Sequence, residues 1–141
     1  MYQKDYILRL IEQLFKFLAE VLRLIKKGDY DEASERLEAS YYDFLKEDAA
    51  FFRSIPEEKL TEKLLKEHNY TNGHLEILAE LFNAEAELEL AQNNRIESLE
   101  YSRKALILIE FIDKEIKTYS AERLDKIEAI KNRISELSSN P

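Results

Sequence analysis

The chain of 141 residues contains no cysteine and no tryptophan, and only two glycines and two prolines. Without cysteine there is no disulfide scaffold, no thiolate nucleophile and no Cys-ligated zinc or iron–sulfur site. Two glycines cannot supply the repeated tight turns of an all-β protein or a Gly-rich phosphate loop. Long hydrophobic runs are missing as well. The longest, Ala105 to Ile109, stops at Glu110, far short of the roughly 20 apolar residues of a membrane span. Lys4, Asp5 and Arg9 interrupt the N-terminal stretch that a secretory leader would need. The expectation is a cytoplasmic protein with no integral membrane segment, so the Asn69-Tyr70-Thr71 sequon match has no glycosylation role.

What is present is helix-forming material: charged residues make up 35% of the chain, and Leu, Ile, Glu, Lys and Ala are abundant. The length suits one domain. The net charge of −8 is unevenly spread, with +3 over residues 1–27, −11 over 29–91 and zero over 92–141. An acidic middle repels phosphate backbones, so nucleic acid is not an expected partner.

Apolar periodicity predicts a first helix from about Gln3 to Lys27. Its apolar columns are Ile7/Leu14/Val21, Leu8/Phe15/Leu22, Leu10/Phe17/Leu24 and Ile11/Leu18/Ile25. They cover an arc of about 160°, wider than the stripe of an ordinary surface helix. Such a helix touches more than one neighbour, or gives part of its face to a subunit interface or partner groove. Gly28 is the natural stop and Asp29 with Glu32 has the capping-box pattern. A second helix, Tyr30 to Asp48, then buries Tyr30, Ala33, Leu37, Ser40 or Tyr41, Phe44 and Leu45, antiparallel to the first.

Residues 49–55 read as an irregular connection, Pro56 as the opening of a short helix ending near His68, and 69–73 as a turn. Thr71 or Asn72 caps a helix to about Gln92; Asn94 with Glu97 repeats the capping-box pattern. The next stripe is Ser98, Ser102, Ala105, Ile109, Ile112, Ile116 and Tyr119, and it resumes as Ile127, Ile130, Ile134 and Leu137. An eleven-residue offset permits one helix from 94 to 137; a cap at Ser120 permits a break, which the length favours.

Two segments resemble one another and the turn and second helix of a tetratricopeptide repeat. One is Gly28-Asp29-Tyr30-Asp31-Glu32-Ala33 with Leu37 and Ser40; the other is Asn93-Asn94-Arg95-Ile96-Glu97-Ser98 with Ser102, Ala105 and Leu106. Ala33 and Ser98 fall on the repeat's first small position, Ser40 and Ala105 on its second, where helices cross closely. Phe17 and Phe82 take the aromatic position, and Val21 and Ala86 stand near the close-packed glycine. The matching positions are 65 residues apart, the likeness covers about half the chain, and 49–72 lacks the repeat signature.

The resemblance implies an all-α, right-handed stack of antiparallel helical hairpins with five to six helices. Residues 1–138 form the domain: a hairpin over 1–48, an irregular connection with a short helix over 49–72, a second hairpin over 73–117 and a capping helix over 120–138. Residues 139–141 are a frayed tail. The N-terminal Tyr2–Glu12 stretch also resembles small uncharacterised bacterial helical proteins, a likeness that carries no function.

The same resemblance implies a groove lined by the first helix of each hairpin, from Phe15, Leu18 and Leu22 to Glu80, Asn83 and Glu87. The family's clamp for acidic chain ends uses Lys and Asn at these places; only Asn83 fits here. A partner with apolar anchors and basic flanks suits the groove better. Tyr42 and Tyr101 fall off their helices' main stripes and are further candidates to face a groove.

Catalytic and metal chemistry find little support. Glu80, Glu85, Glu87 and Glu89 offer carboxylates, but a di-iron bundle needs Glu-x-x-His, and Leu65 and Thr71 stand three residues before His68 and His74. A solvated acidic face accounts for these glutamates, and helix-end positions account for the histidines. No Gly-x-Ser-x-Gly elbow is present. The expected function is a non-catalytic interaction or scaffold domain, without cofactor, binding a protein segment or its own copy, including a homodimer through the first helix. Two alternatives remain. One is a membrane-surface module using the basic amphipathic first helix; the other is a carboxylate-based metal or small-molecule enzyme.

Overall fold

Gly28 takes the left-handed conformation, with φ of 83°, and ends α1 (Tyr2–Lys27) as only glycine does cheaply. The computed structural model describes residues 2–139. After Asp29 the chain reverses into α2 (Tyr30–Leu45). The reversal is tied across by Phe17 tilted against Phe44, ring centres 5.8 Å apart, and by Arg36 donating to Glu20 at 2.6 Å. Along α2 the buried residues are Ala33, Leu37, Ser40, Tyr41 and Leu45, while Tyr30 and Phe44 are half-buried.

Residues 49–55 are more regular than the sequence suggests. Asp48 accepts from the Phe51 N–H at 3.0 Å and starts α3 (Ala49–Arg53). Pro56 then precedes a tight turn at 57–59, α4 (Leu60–Glu62) and a wider π-type turn closed by the His68 N–H on the Lys63 carbonyl. An aromatic chain of Phe51, Phe52, Tyr41, Phe82 and Tyr101, with Tyr70 stacked on Phe52, fixes this segment to the core. The Tyr70 hydroxyl donates to the Leu45 carbonyl.

The long helices α5 (Asn72–Ala91), α6 (Arg95–Glu115) and α7 (Ala121–Ser139) complete the described residues, which form seven α-helices and no strand. The expected five to six helices become seven because short helical turns form between 49 and 62. Chain direction follows from the contacts. Ile7 lies against Gly73 at one end of α1 and α5; Lys126 meets Glu80, and Arg133 meets Asn83, along α5 and α7. Thus α1, α5 and α7 run the same way, and α2 and α6 pack behind them.

Three local expectations are corrected. Asp29 and Asn94 make no side-chain cap; Asn94 instead donates to Glu89 at 2.9 Å. The favoured break near Ser120 is present, with α6 and α7 as separate helices. The chain leaves helical geometry at Ile116, so Ile116 and Tyr119, expected on the buried stripe, stand exposed, Tyr119 at 77%. Ser120 accepts from the Arg123 N–H at 3.2 Å and opens α7, which buries Ile127, Ile130 and Leu137 with Ile134 half-buried. Of the expected tail, Ser139 ends α7 and residues 140–141 lie outside the described residues. No helix among the described residues is long and apolar enough to cross a membrane.

Candidate functional site

The width of the α1 apolar arc is resolved by its surroundings. Leu14, Val21 and Leu24 are buried, and Leu10, Phe17 and Ile25 are half-buried against the core. Leu8 and Phe15 remain 50% exposed and Leu22 37%. Phe15 and Leu22 of that column line a groove of about 410 Å³ between α1, α5 and α7. Phe15, Leu18 and Leu22 form one wall and Glu80, Asn83 and Glu87 the floor, so six of the eight candidate groove residues meet in one place. Helix α7 supplies the other wall through Lys126, Ala129, Ile130 and Arg133.

The role of α7 changes the electrostatics expected of the groove. Lys126 Nζ lies 2.5 and 2.6 Å from the two Glu80 carboxylate oxygens. Arg133 donates to Asn83 Oδ1 at 2.5 Å and to Ser102 Oγ at 2.8 Å, with Glu87 at 3.9 Å. The cations anticipated from a partner are already supplied by the chain itself. Glu80 and Glu85 are buried rather than part of a solvated acidic face. Beside this wall, burial and the Glu80 charge push the Glu76 carboxyl up.

Tyr42 and Tyr101 do not line the groove. Tyr42 is 60% exposed, with Lys46 Nζ 5.8 Å from its ring centre. Tyr101 is half-buried against Phe82 and accepts from Arg53 Nε at 2.7 Å. Burial, with the Glu85 charge, pushes its phenol up to about 12. It belongs to a clamp that sequence periodicity does not reveal. Arg53 also donates to Glu38 at 2.7 Å and Glu85 at 2.9 Å, and Tyr41 donates to Glu85 at 3.0 Å. Burial raises the Glu85 carboxyl, opposed by Arg53. A glutamate on the inward face of α5 and an arginine between phenylalanine and serine are the available signals, and neither names the other as its partner.

His68 Nε2 lies 3.0 Å from Glu47, and His74 Nδ1 accepts from the Thr71 N–H at 3.0 Å in a capping box that opens α5. Among the described residues no three His or carboxylate side chains are grouped to hold a metal. The groove's polar groups are engaged with one another around an apolar wall, an arrangement suited to docking a complementary surface. No family model, curated protein or solved structure matches this chain.

Proposed function

We propose that this chain is a non-catalytic interaction domain built as a tetratricopeptide-like pair of hairpins, with the α1/α5/α7 groove as its docking face. The observation that carries the reading is the exposed column Leu8, Phe15 and Leu22 beside that groove, apolar surface with no partner inside the chain. The hairpin reading has separate support. Ala33, Ser40, Ser98 and Ala105, the small positions of the two segments, are all buried where α2 and α6 pack on their neighbours. Val21 and Ala86 are buried as well, and α1 and α5 run parallel about 65 residues apart in sequence.

The test is association dependent on the groove. Phe15→Glu and Leu22→Glu place charge in half-exposed positions that the fold tolerates, and each should weaken a groove-bound complex at least tenfold. Full-length protein is compared with both variants by quantitative capture from native lysate and by light scattering. Retention of every complex by both variants, or no association at all, overturns the reading.

A further inference from the structure

The docking face carries two unlike rims. At 100° per residue, Lys16, Arg23 and Lys26 follow the exposed column on the outer side of α1, with Asp5 and Glu12 the acids on that side, both nearer the N-terminus. The same arithmetic places Asp125 and Glu136 outward of Lys126, Ala129 and Arg133 on α7, and Glu122 between Ala129 and Arg133 at the end of the wall beside Lys126. All six are exposed, and among the described residues Lys16, Arg23, Lys26, Glu122 and Asp125 have no ion-pair partner within the chain. One edge of the face is therefore basic, the other acidic, and the apolar column lies between.

Height along the helices matches as well. Phe15 shares a cavity with Glu122 and Lys126, and Leu22 shares the groove with Arg133. Lys16 thus stands level with the 122–127 turns, and Arg23 and Lys26 level with the turns around Glu136. A two-fold axis parallel to the helices preserves height and exchanges the edges. It lays α1 of one copy over α7 of the other, twice.

Resting on the interaction-domain reading above, we propose that the occupant of the face is a second copy of this chain, in a two-fold dimer that sets the Lys16/Arg23/Lys26 rim against the Glu122/Asp125/Glu136 rim of its partner. Such an interface is self-complementary, as an isologous contact must be. Phe15 and Leu22 close over the partner's groove and lose their exposure. Three helices of 19 to 26 residues, spaced 8–10 Å apart, present a face of about 20 by 30 Å. That is comparable with the roughly 800 Å² per partner of a standard interface. A second α1 lying alone in the groove fits less well, because its own edge is basic on the side where the α7 rim requires a match on only one flank.

The experiment is a charge exchange on the full chain. Sedimentation equilibrium from about 1 to about 100 µM should give a dimer for the wild type, weakened by salt. Variant K16E/R23E/K26E and variant E122K/D125K/E136K should each dissociate at least tenfold more readily, since every rim then meets its own sign. Mixed in equal amounts they should form a heterodimer of wild-type strength, because both contacts become complementary again. Unchanged circular dichroism and melting show that each variant folds. A monomeric wild type overturns the inference, as does an equal mixture that stays monomeric, or an α7-rim variant that dimerises undiminished. A monomer that floats with anionic vesicles through α1 overturns it in favour of a membrane surface. If the wild type is monomeric yet captures another protein that Phe15→Glu releases, only the self-pairing fails; a monomer with no groove-dependent association removes both readings.

Discussion

Tyr41 donates a 3.0 Å hydrogen bond to Glu85, joining the C-terminal half of α2 to the C-terminal half of α5 inside the apolar core. Both residues are buried, and Arg53 completes the carboxylate's partners at 2.9 Å. The bond matters because it settles which face of α5 turns toward α2. Leucines and alanines cover nearly all of α5 and leave its rotation weakly specified by hydrophobicity alone.

Glu85→Ala leaves the Tyr41 hydroxyl buried without an acceptor and should cost about 2–3 kcal/mol in urea unfolding. Tyr41→Phe removes the donor while Arg53 still satisfies the carboxylate, so about 1 kcal/mol is the expected loss. The double variant should lose less than the sum of the two. Strict additivity would show that the contact is not formed in solution.

The different visibility of these features has physical reasons. Gly28, the Thr71 cap, the Ser120 break and the buried positions 33, 37 and 40 follow local rules of conformation and periodicity. Phe15, Leu18 and Leu22 line one groove with Glu80, Asn83 and Glu87, and no local rule of periodicity or capping brings residues so far apart in the chain together. The pairing of Lys126 with Glu80 and of Arg53 with Glu85 was not legible. These are contacts between residues more than thirty apart, and neither partner's sequence neighbourhood distinguishes it from a solvated charge. Asp48 shows the opposite error. Its cap is a local signal, overlooked because Ala49 to Arg53 is too short to display a helical period.

The α5 cap makes stability depend on pH through one histidine. His74 Nδ1 accepts from the Thr71 backbone, which requires that nitrogen to be unprotonated, and burial lowers the His74 pKa below 6.5. Below pH 6.5 the unfolded chain therefore binds the proton first, so stability falls as pH drops through 6.5 toward the lowered folded value. His74→Gln keeps a capping-box acceptor without a titrating group. Chemical unfolding of both proteins between pH 7.5 and the point where carboxylates begin to protonate should show a steeper loss in the wild type. Parallel stability curves would remove His74 as the cause.

Ala33 and Ser98 test how tightly α2 and α6 pack against the core. Each is fully buried, and Ser98 Oγ donates to the Ala86 carbonyl at 2.8 Å. Ala33→Glu should destabilise by about 3–5 kcal/mol, since a carboxylate at that fully buried position has neither room nor a partner. Ser98→Ala should cost only about 1 kcal/mol, leaving a carbonyl that the helix ladder already engages. A thermal-melt difference for Ala33→Glu of less than about 0.5 kcal/mol would show that α2 is not packed against the core there.

Gly73 lies where the start of α5 meets Ile7 of α1. Although the turn at 69–73 suggests a glycine needed for backbone conformation, its φ is not in the left-handed region, where Asn69 stands instead at 59°. The need is for space: a Cβ on residue 73 would lie 2.3 Å from Ile7 Cγ2. Gly73→Ala should gain about 1 kcal/mol of helix propensity and lose more than that in overpacking, for a net destabilisation of about 1–2 kcal/mol. In an Ile7→Ala background the clash disappears while the propensity gain remains, so the same substitution should become neutral or stabilising there. Urea unfolding of the four proteins closes the cycle. An equal effect of Gly73→Ala in both backgrounds would mean that the α1 N-terminal turn does not rest on α5, and the start of the parallel α1/α5 pair would have to lie further along the chain.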